Sequence, residues 1–586
     1  KLIYFDLRGR AESIRQVFAH AGVAFDDVRI SRAEWLALKP HTPYGQLPVL
    51  EVDGRPIGQS SAILRFLGKQ FNLTGRTLLE EARVEMIGDL INEFYEEIKP
   101  YVAVVMGFAQ GDKDHLYSSV FLPNRDKYLA LLARNITGDF ILDHVTWADI
   151  HLANSLEFLL SIVPSALDNF PMLKARVHHV HSTPRMKAYL HLREKKEQMI
   201  EEAKRQEEQR LRRAEEEKRE LEMRMIREEE EARRRILVET AALHQEMGAC
   251  ELASNGVRSG HSTLSRNTGK PRGDTVSRQG TLSRRQTGVS GVSGAPTPAR
   301  RRFEKEAVSR DGTLSRRPTG QSSVSGVTSQ STVVSRVETT VENQSLNQSR
   351  RSSRAAPQQE IHTHEVHSSN HVGKRLKGPA LAATMVHYKL TYFDLRGRAE
   401  SIRQVFAYAG VAFDDVRIPR GKWPELKPHT PFGQLPVLEV DGAPIAQSAA
   451  ILRFLGKQFE LTGKTPLEEA KLDMVVDQIA DFTADIKAYM MVALGFVEGD
   501  KEALYSEVFL PNRDKHLALL AKQITGDYIL GHITWADIHL ANSLEGLLAK
   551  LPDFLDGHPH LKAYVHRIHA HPRLKAHLAT RPDAPF

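Results

Sequence analysis

Two tyrosines stand where a side chain could do chemistry at a fixed point. Tyr4 stands near the end of a short β-branched and aromatic run at residues 2–5, and Tyr392 near the end of its counterpart at 390–393. A phenolic hydroxyl at a strand end, facing a loop with a helix start behind it, can donate a hydrogen bond to an anion. Further along, Leu47-Pro48 and Leu435-Pro436 lead into a strand, a position where a cis proline lets neighbouring backbone groups point at an extended ligand. Gln59-Ser60 and Gln447-Ser448 sit at expected helix starts, where free N–H groups and the helix dipole favour a carboxylate. Taken singly, each has a plainer reading: a strand-end tyrosine is more often packed, and Gln-Ser is ordinarily a cap.

The elements that must position these residues come as a tandem repeat. A sequence of about 190 residues occurs twice without insertion or deletion, so the unit is domain-sized rather than a solenoid repeat of about 20–50 residues. The offset of 388 between Tyr4 and Tyr392 holds at Trp147/Trp535 and Pro184/Pro572. Each copy reads β-α-β-β-β-α over its first part: a helix near 10–21, a strand at 25–30, and an alternating strand at 47–54 closed by Asp53-Gly54. The remainder of each copy has helical periodicity. Thr146-Trp147-Ala148-Asp149 and its counterpart at 534–537 carry a helix-start signature.

The expected organisation is an α/β half at 1–74 and a helical half at 79–193, then a charged helix at 194–247. A basic Ser/Thr/Arg-rich disordered linker follows at 248–384, and the second copy divides at 385–462 and 467–586. In the charged helix, acid-to-base pairs four apart (Glu208/Arg212, Glu215/Arg219, Glu220/Arg224, Glu229/Arg233) each contribute about 0.2–0.5 kcal/mol. Leu211, Leu221, Met225 and Ile236 are sparse for a heptad seam, so a lone helix is favoured over a coiled coil. The linker buries too little apolar surface to offset its ordering entropy. Phrases at 278–288, 310–320 and 350–353 place hydroxyls after paired arginines. Those suit contacts with basophilic kinases, and a soluble spacer is an equal reading.

The chain of 586 residues carries a net charge of +7, but residues 249–388 alone hold roughly +12. Basicity therefore says nothing of the two copies, and without interleaved aromatics nucleic-acid binding is the weaker reading. The one cysteine, Cys250, excludes an intramolecular disulfide and fits a reducing, cytoplasmic setting. No run of about 18 apolar residues suggests a membrane span. His178, His179 and His181, with His566, His569 and His571, lack cysteines or acids at ligand spacing. They read as solvated surface histidines, so no metal is expected. His362 and His364 are no more convincing as ligands. Alignment of Lys1 with Lys389 suggests that a few residues precede the chain, and Met385 stands as the initiator of a free-standing second copy would. A true fusion and two joined neighbouring genes are equal readings.

Taken together and in order, the motifs resemble the glutathione S-transferases, specifically the animal sigma class. They are Tyr-Phe-Asp-Leu-Arg-Gly-Arg-Ala-Glu, Pro-Tyr-Gly-Gln-Leu-Pro-Val-Leu (with Phe432 for Tyr44 in the second copy), Gln-Ser-Ser-Ala-Ile-Leu and Thr-Trp-Ala-Asp. The resemblance implies a thioredoxin-like N-terminal half, a helical C-terminal half, glutathione as cosubstrate, and dimerisation of modules within or between chains. By that likeness Tyr4 and Tyr392 are the catalytic tyrosines, with Arg10 and Arg398 close by. Trp35 and Lys39 (Trp423, Lys427) would hold the glycyl carboxylate. Leu47 (Leu435), beside Gln46 and Pro48 (Gln434, Pro436), would pair with the cysteinyl backbone. Gln59 and Ser60 (Gln447, Ser448) would take the γ-glutamyl carboxylate.

Two departures stand out. An aspartate that in the family meets the γ-glutamyl amine from the opposite subunit is Asp481 in one copy and Glu93 in the other. Pairing of the two copies would give the Tyr4 site Asp481 and the Tyr392 site Glu93, and hence unequal glutathione affinity. The tryptophan of the class's vertebrate prostaglandin D synthase is Pro100 and Ala488 here, which leaves that isomerase activity unsupported. The resemblance implies conjugation of glutathione to small hydrophobic electrophiles, a detoxification activity with isomerase or peroxidase side activity open. The rival reading is a non-catalytic ligand carrier or crystallin-like structural protein with a scaffold linker.

Overall fold

The computed structural model describes residues 1–255 and 386–582. The rest of the expected disordered linker, with its kinase-type phrases, His362 and His364, lies outside the described residues, as does Met385. In the first copy, Leu-Ile-Tyr-Phe forms β1 (Leu2–Phe5), with Leu2, Ile3 and Tyr4 all buried. A 3-10 turn (Gly9–Ala11) then leads into α1 (Glu12–Ala21), so the regular helix starts later than the sequence suggests. Its apolar face (Ile14, Val17, Phe18) is buried, and Gly22 ends it at φ 71°.

Next come β2 (Asp27–Ile30), shorter than expected, α2 (Arg32–Leu38), β3 (Val49–Val52), β4 (Arg55–Ile57) and α3 (Ser60–Gln70). The sheet order is β2-β1-β3-β4. β1 runs parallel to β2 and antiparallel to β3, and Leu50 pairs with Ile57 across the Asp53-Gly54 turn. This is the thioredoxin-like arrangement.

The helical half holds α4 (Leu78–Val105), α5 (Lys113–Leu116), α6 (Leu122–Asn135), α7 (Trp147–Ile162) and α8 (Pro171–Ser182). Thr146 forms the expected capping box with Asp149, and the buried Asp149 carboxylate also accepts the Ile141 N–H at 2.8 Å. Trp147 packs against Gly68 of α3, where an added Cβ would sit 2.4 Å from its ring. The missing side chain is what lets the helical half close on the α/β half.

α9 runs unbroken from Pro184 to Asn255. It passes the expected boundary at 193/194 and continues beyond Gly248 into the segment expected to be disordered. Arg193 ties its first turns to Glu12 at 2.9 Å and to Glu157. Of the expected pairs, Glu208–Arg212 forms at 2.7 Å, whereas Arg224 turns forward to Glu228 at 3.2 Å instead of back to Glu220.

The second copy repeats the plan with β5 (Tyr388–Phe393), α10 (Glu400–Ala409), β6 (Asp414–Ile418), α11 (Trp423–Leu426), β7 (Val437–Val440), β8 (Ala443–Ala446) and α12 (Ser448–Gln458). α13 (Pro466–Asp485), α14 (Lys487–Ala493), α15 (Lys501–Leu504), α16 (Leu510–Gln523), α17 (Trp535–Leu548), α18 (Pro559–His569) and α19 (Pro572–Thr580) complete it. Where α4 is continuous through Pro100, the second copy breaks between α13 and α14.

Residues 1–231 and 380–586 form one compact unit, in which α3 packs on α13 and α4 on α12. Two buried arginines lie at that seam. Arg65 bonds Glu85 and Asp89 at 2.6 Å each and Asp477 of the other copy at 3.1 Å. Arg453 bonds Asp473 at 2.6 Å and reaches across to Asp89 at 3.2 Å. Lys69–Glu469 and Lys457–Glu81 extend the cluster. Buried charges of this kind are tolerated only when paired and hydrogen-bonded.

Candidate glutathione site

In both copies the tyrosine hydroxyl lies under the turn that follows the first strand. Tyr4 Oη accepts the Arg10 backbone N–H at 3.1 Å, and Tyr392 Oη accepts that of Arg398 at 3.2 Å. No acceptor is bonded to either phenolic proton among the described residues, so the O–H remains able to donate. Gly9 makes the close turn possible. Its φ is +44°, and a Cβ there would lie 2.5 Å from Tyr4 Oη.

Beneath the turn, Arg15 is fully buried and was not singled out from the sequence. It donates to Leu7 O at 3.0 Å and to Asp27 at 3.1 Å, and its guanidinium carbon lies 5.9 Å from the Tyr4 ring centroid. Arg403 repeats this under Tyr392. The available signal was a charged residue inside the apolar stretch of α1.

Arg10 is at the tyrosine through its main chain. Its guanidinium points elsewhere, to Glu96 at 3.1 Å, and Glu96 also accepts from Lys99 at 2.8 Å. In the second copy Ala484 replaces Glu96. No carboxylate is bonded to the Arg398 guanidinium among the described ion pairs.

Gln59 and Gln447 are not ordinary caps. They precede α3 and α12 at φ 60° and 64° with no side-chain cap bond, a left-handed conformation that glutamine seldom adopts and that tends to mark functional sites. Their amides reach into the other copy. Gln59 Nε2 donates to Asp481 at 2.9 Å and to Gln478 Oε1 at 3.3 Å, and Gln46 Nε2 donates to Asp481 at 3.3 Å. Reciprocally, Gln447 and Gln434 donate to Glu93 at 3.0 and 2.6 Å.

Behind Gln478 the fully buried His516 forms a 2.6 Å bond through Nδ1, and its Nε2 meets Asp485 at 2.9 Å. Burial lowers the His516 pKa, which favours the neutral ring. The first copy has Leu90 and Tyr128 at the corresponding places. Tyr128 lies beside Glu93, and burial together with that charge raises its pKa.

Leu47-Pro48 and Leu435-Pro436 are cis. Pro48 is buried and Leu47 half-buried ahead of β3, while Ser60 opens α3. Trp35 meets the Phe5 ring edge-on at 6.0 Å and Trp423 meets Phe393 at 5.6 Å. Lys39 and Lys427 are exposed just past those tryptophans.

The structure thus gathers Tyr4 with Arg10, and Gln46 with Gln59 and Asp481. Trp35 sits on the first strand through Phe5. An open cleft of about 530 Å³ lies beside the second copy, lined by Ala484, Lys487, Ala488, Met491, Val492 and Leu504 among others.

The histidine sets are less solvated than expected. His178 and His566 are exposed, but His179, His181, His569 and His571 are half-buried, and burial lowers the pKa of His181 and His569. Among the described residues no group of three or more His, Cys, Asp or Glu is placed to hold a metal ion, and no helix is long and apolar enough to cross a membrane.

Comparison with known proteins places both copies in one family. The glutathione S-transferase N-terminal domain family matches residues 1–69 and 388–457, and the C-terminal domain family matches 97–193 and 484–581. Glutathione S-transferase 1 of Ascaris suum is 50% identical over 206 residues, which are 34% of this chain and all of that one. Probable glutathione S-transferase 7 of Caenorhabditis elegans is 46% identical with the same coverage. Among solved structures, a Nu-class enzyme of Haemonchus contortus shows 43% identity over 34% of this chain and all of its own, with a TM-score of 0.33. This chain belongs to the glutathione S-transferase family and carries two tandem copies of its two-domain unit.

Proposed function

We propose that both copies are active glutathione transferases of sigma type, joining the glutathione thiolate to small hydrophobic electrophiles. The observation that carries this reading is the tyrosine hydroxyl, present in both copies, held by a backbone N–H with its own proton unclaimed. A free thiol with a pKa of about 8.5 is only a few per cent ionised at neutral pH. A hydrogen bond from Tyr4 or Tyr392 to the sulfur favours the thiolate. Lowering the pKa by about two units corresponds to about 2.7 kcal/mol and makes the nucleophile the dominant form.

The rest of each site binds the tripeptide. Gln59 and Ser60 (Gln447, Ser448) take the γ-glutamyl carboxylate, and Asp481 or Glu93 meets its amine from the other copy. Leu47 (Leu435), beside Gln46 and Pro48 (Gln434, Pro436), pairs with the cysteinyl backbone. Trp35 and Lys39 (Trp423, Lys427) hold the glycyl end. The cross-copy bonds of Gln59 and Gln447 support an intrachain pair of modules, and the single cysteine supports a cytoplasmic setting. Retention of the whole set in both copies favours an enzyme over a structural descendant, which would need neither tyrosine.

The test is conjugation of a chromogenic aryl chloride by the full chain. Tyr4→Phe and Tyr392→Phe should each remove one share of the activity and the double variant nearly all of it. A double variant as active as the parent would refute the role of both tyrosines.

A further inference from the structure

The two copies differ at one place that bears on what they accept. In the first, the Arg10 guanidinium is bonded to Glu96 at 3.1 Å, and the same carboxylate takes Lys99. In the second, the equivalent of Glu96 is Ala484, Arg398 has no bonded carboxylate among the described ion pairs, and Lys487 is drawn to Glu97 of the other copy at 3.2 Å. Both arginines are tied to the tyrosine by the same backbone bond, and the exchange falls on the partner of the side chain that leaves that turn. Ala484 is also on the wall of the 530 Å³ cleft, with Ala488, Met491 and Leu504 supplying apolar surface.

We infer that position 96/484 sets the charge of the acceptor. The second copy takes hydrophobic electrophiles that bear a carboxylate, held by Arg398. The first, in which Glu96 occupies Arg10, takes neutral ones. This rests on reading the copies as glutathione transferases.

The reaction itself is the same in both. Glutathione loses its thiol proton to water, the thiolate attacks the chlorine-bearing carbon of an activated aryl chloride, the C–S bond forms, and chloride leaves with the electron pair of the C–Cl bond. Charge selection acts on the acceptor alone. In the second copy a carboxylate on the ring gains a charge-assisted bond, while in the first it meets a carboxylate already in place.

The experiment uses the full chain with one copy silenced: Tyr392→Phe reports the first copy and Tyr4→Phe the second. Each is assayed with 1-chloro-2,4-dinitrobenzene and with 4-chloro-3-nitrobenzoate, and the readout is the ratio of kcat/KM for the anionic over the neutral substrate. The ratio for the second copy is expected to exceed that for the first by about tenfold, the scale of one charge-assisted contact. Glu96→Ala and the shape-preserving Glu96→Gln should both raise the ratio of the first copy, and Ala484→Glu should lower that of the second. Equal or reversed ratios that none of these substitutions moves would overturn the inference. Loss of conjugation with the neutral substrate in both single-copy chains would instead overturn the functional reading beneath it.

Discussion

The side-chain amide of Gln59 lies 2.9 Å from the carboxylate of Asp481, joining residues of different copies at the edge of one candidate site. The reciprocal contact, Gln447 to Glu93 at 3.0 Å, has a longer acid in a different setting. Gln478 and His516 stand behind the first contact, and Tyr128 stands beside the second. Each candidate site therefore borders a carboxylate of the other copy, and the two settings differ.

Asp481→Asn is expected to weaken glutathione binding at the Tyr4 site by about tenfold, the loss of one hydrogen bond to a charged group, while leaving the Tyr392 site unchanged. The KM for glutathione in conjugation by the full chain, read for the first copy in the Tyr392→Phe background and for the second in Tyr4→Phe, checks this. Equal weakening at both sites would contradict the reciprocal arrangement.

Gly9→Ala places a methyl group 2.5 Å from Tyr4 Oη at a backbone φ of +44°. Conjugation by the first copy should fall at least tenfold, with stability lowered by about 1–2 kcal/mol for the strained backbone. Assay in the Tyr392→Phe background, with a thermal melt alongside, separates the two effects.

Asp477 is half-buried at the seam, and the loss of water around its carboxyl pushes the pKa up to about 6 against the pull of Arg65 and Arg453. Between its unfolded value near 4 and about 6, the folded chain holds a proton that the unfolded chain has lost. Its contribution to stability is therefore present at low pH and lost as pH rises through that window. Asp477→Asn cannot titrate, so its stability relative to the parent should improve by on the order of 2 kcal/mol between pH 4 and pH 7. Melting both proteins across that range tests the sign.

Arg65 has three carboxylate partners in two copies. Arg65→Ala leaves the buried Glu85 and the half-buried Asp89 and Asp477 short of a cation and is expected to cost about 3–5 kcal/mol. Denaturant unfolding should then show the seam between the copies opening before the modules themselves unfold.

Much of the fold was legible because it is written locally. The alternation at 47–54 with Asp53-Gly54 specified β3, its turn and β4, and Thr146-x-x-Asp149 specified the start of α7. The tyrosines were legible because their spacing recurs at a fixed offset. What escaped depends on distant contacts. The resemblance put Gln59 at the γ-glutamyl end, but its positive φ and its bonds across 422 residues to Asp481 leave no local trace. Arg15 looked like one more charged residue of a helix until burial placed it under Tyr4. The Arg10–Glu96 pair joins positions 86 apart, so the meaning of Ala484 emerges only when the two copies are compared in space.

The central claim is tested most directly by the ionisation of glutathione sulfur in the complex. Ultraviolet difference titration of the full chain saturated with glutathione should show the thiolate dominant at neutral pH, with an apparent pKa about two units below that of free thiol. In the Tyr4→Phe/Tyr392→Phe double variant the value should return towards about 8.5. A bound sulfur still protonated at neutral pH in the parent chain would contradict the account.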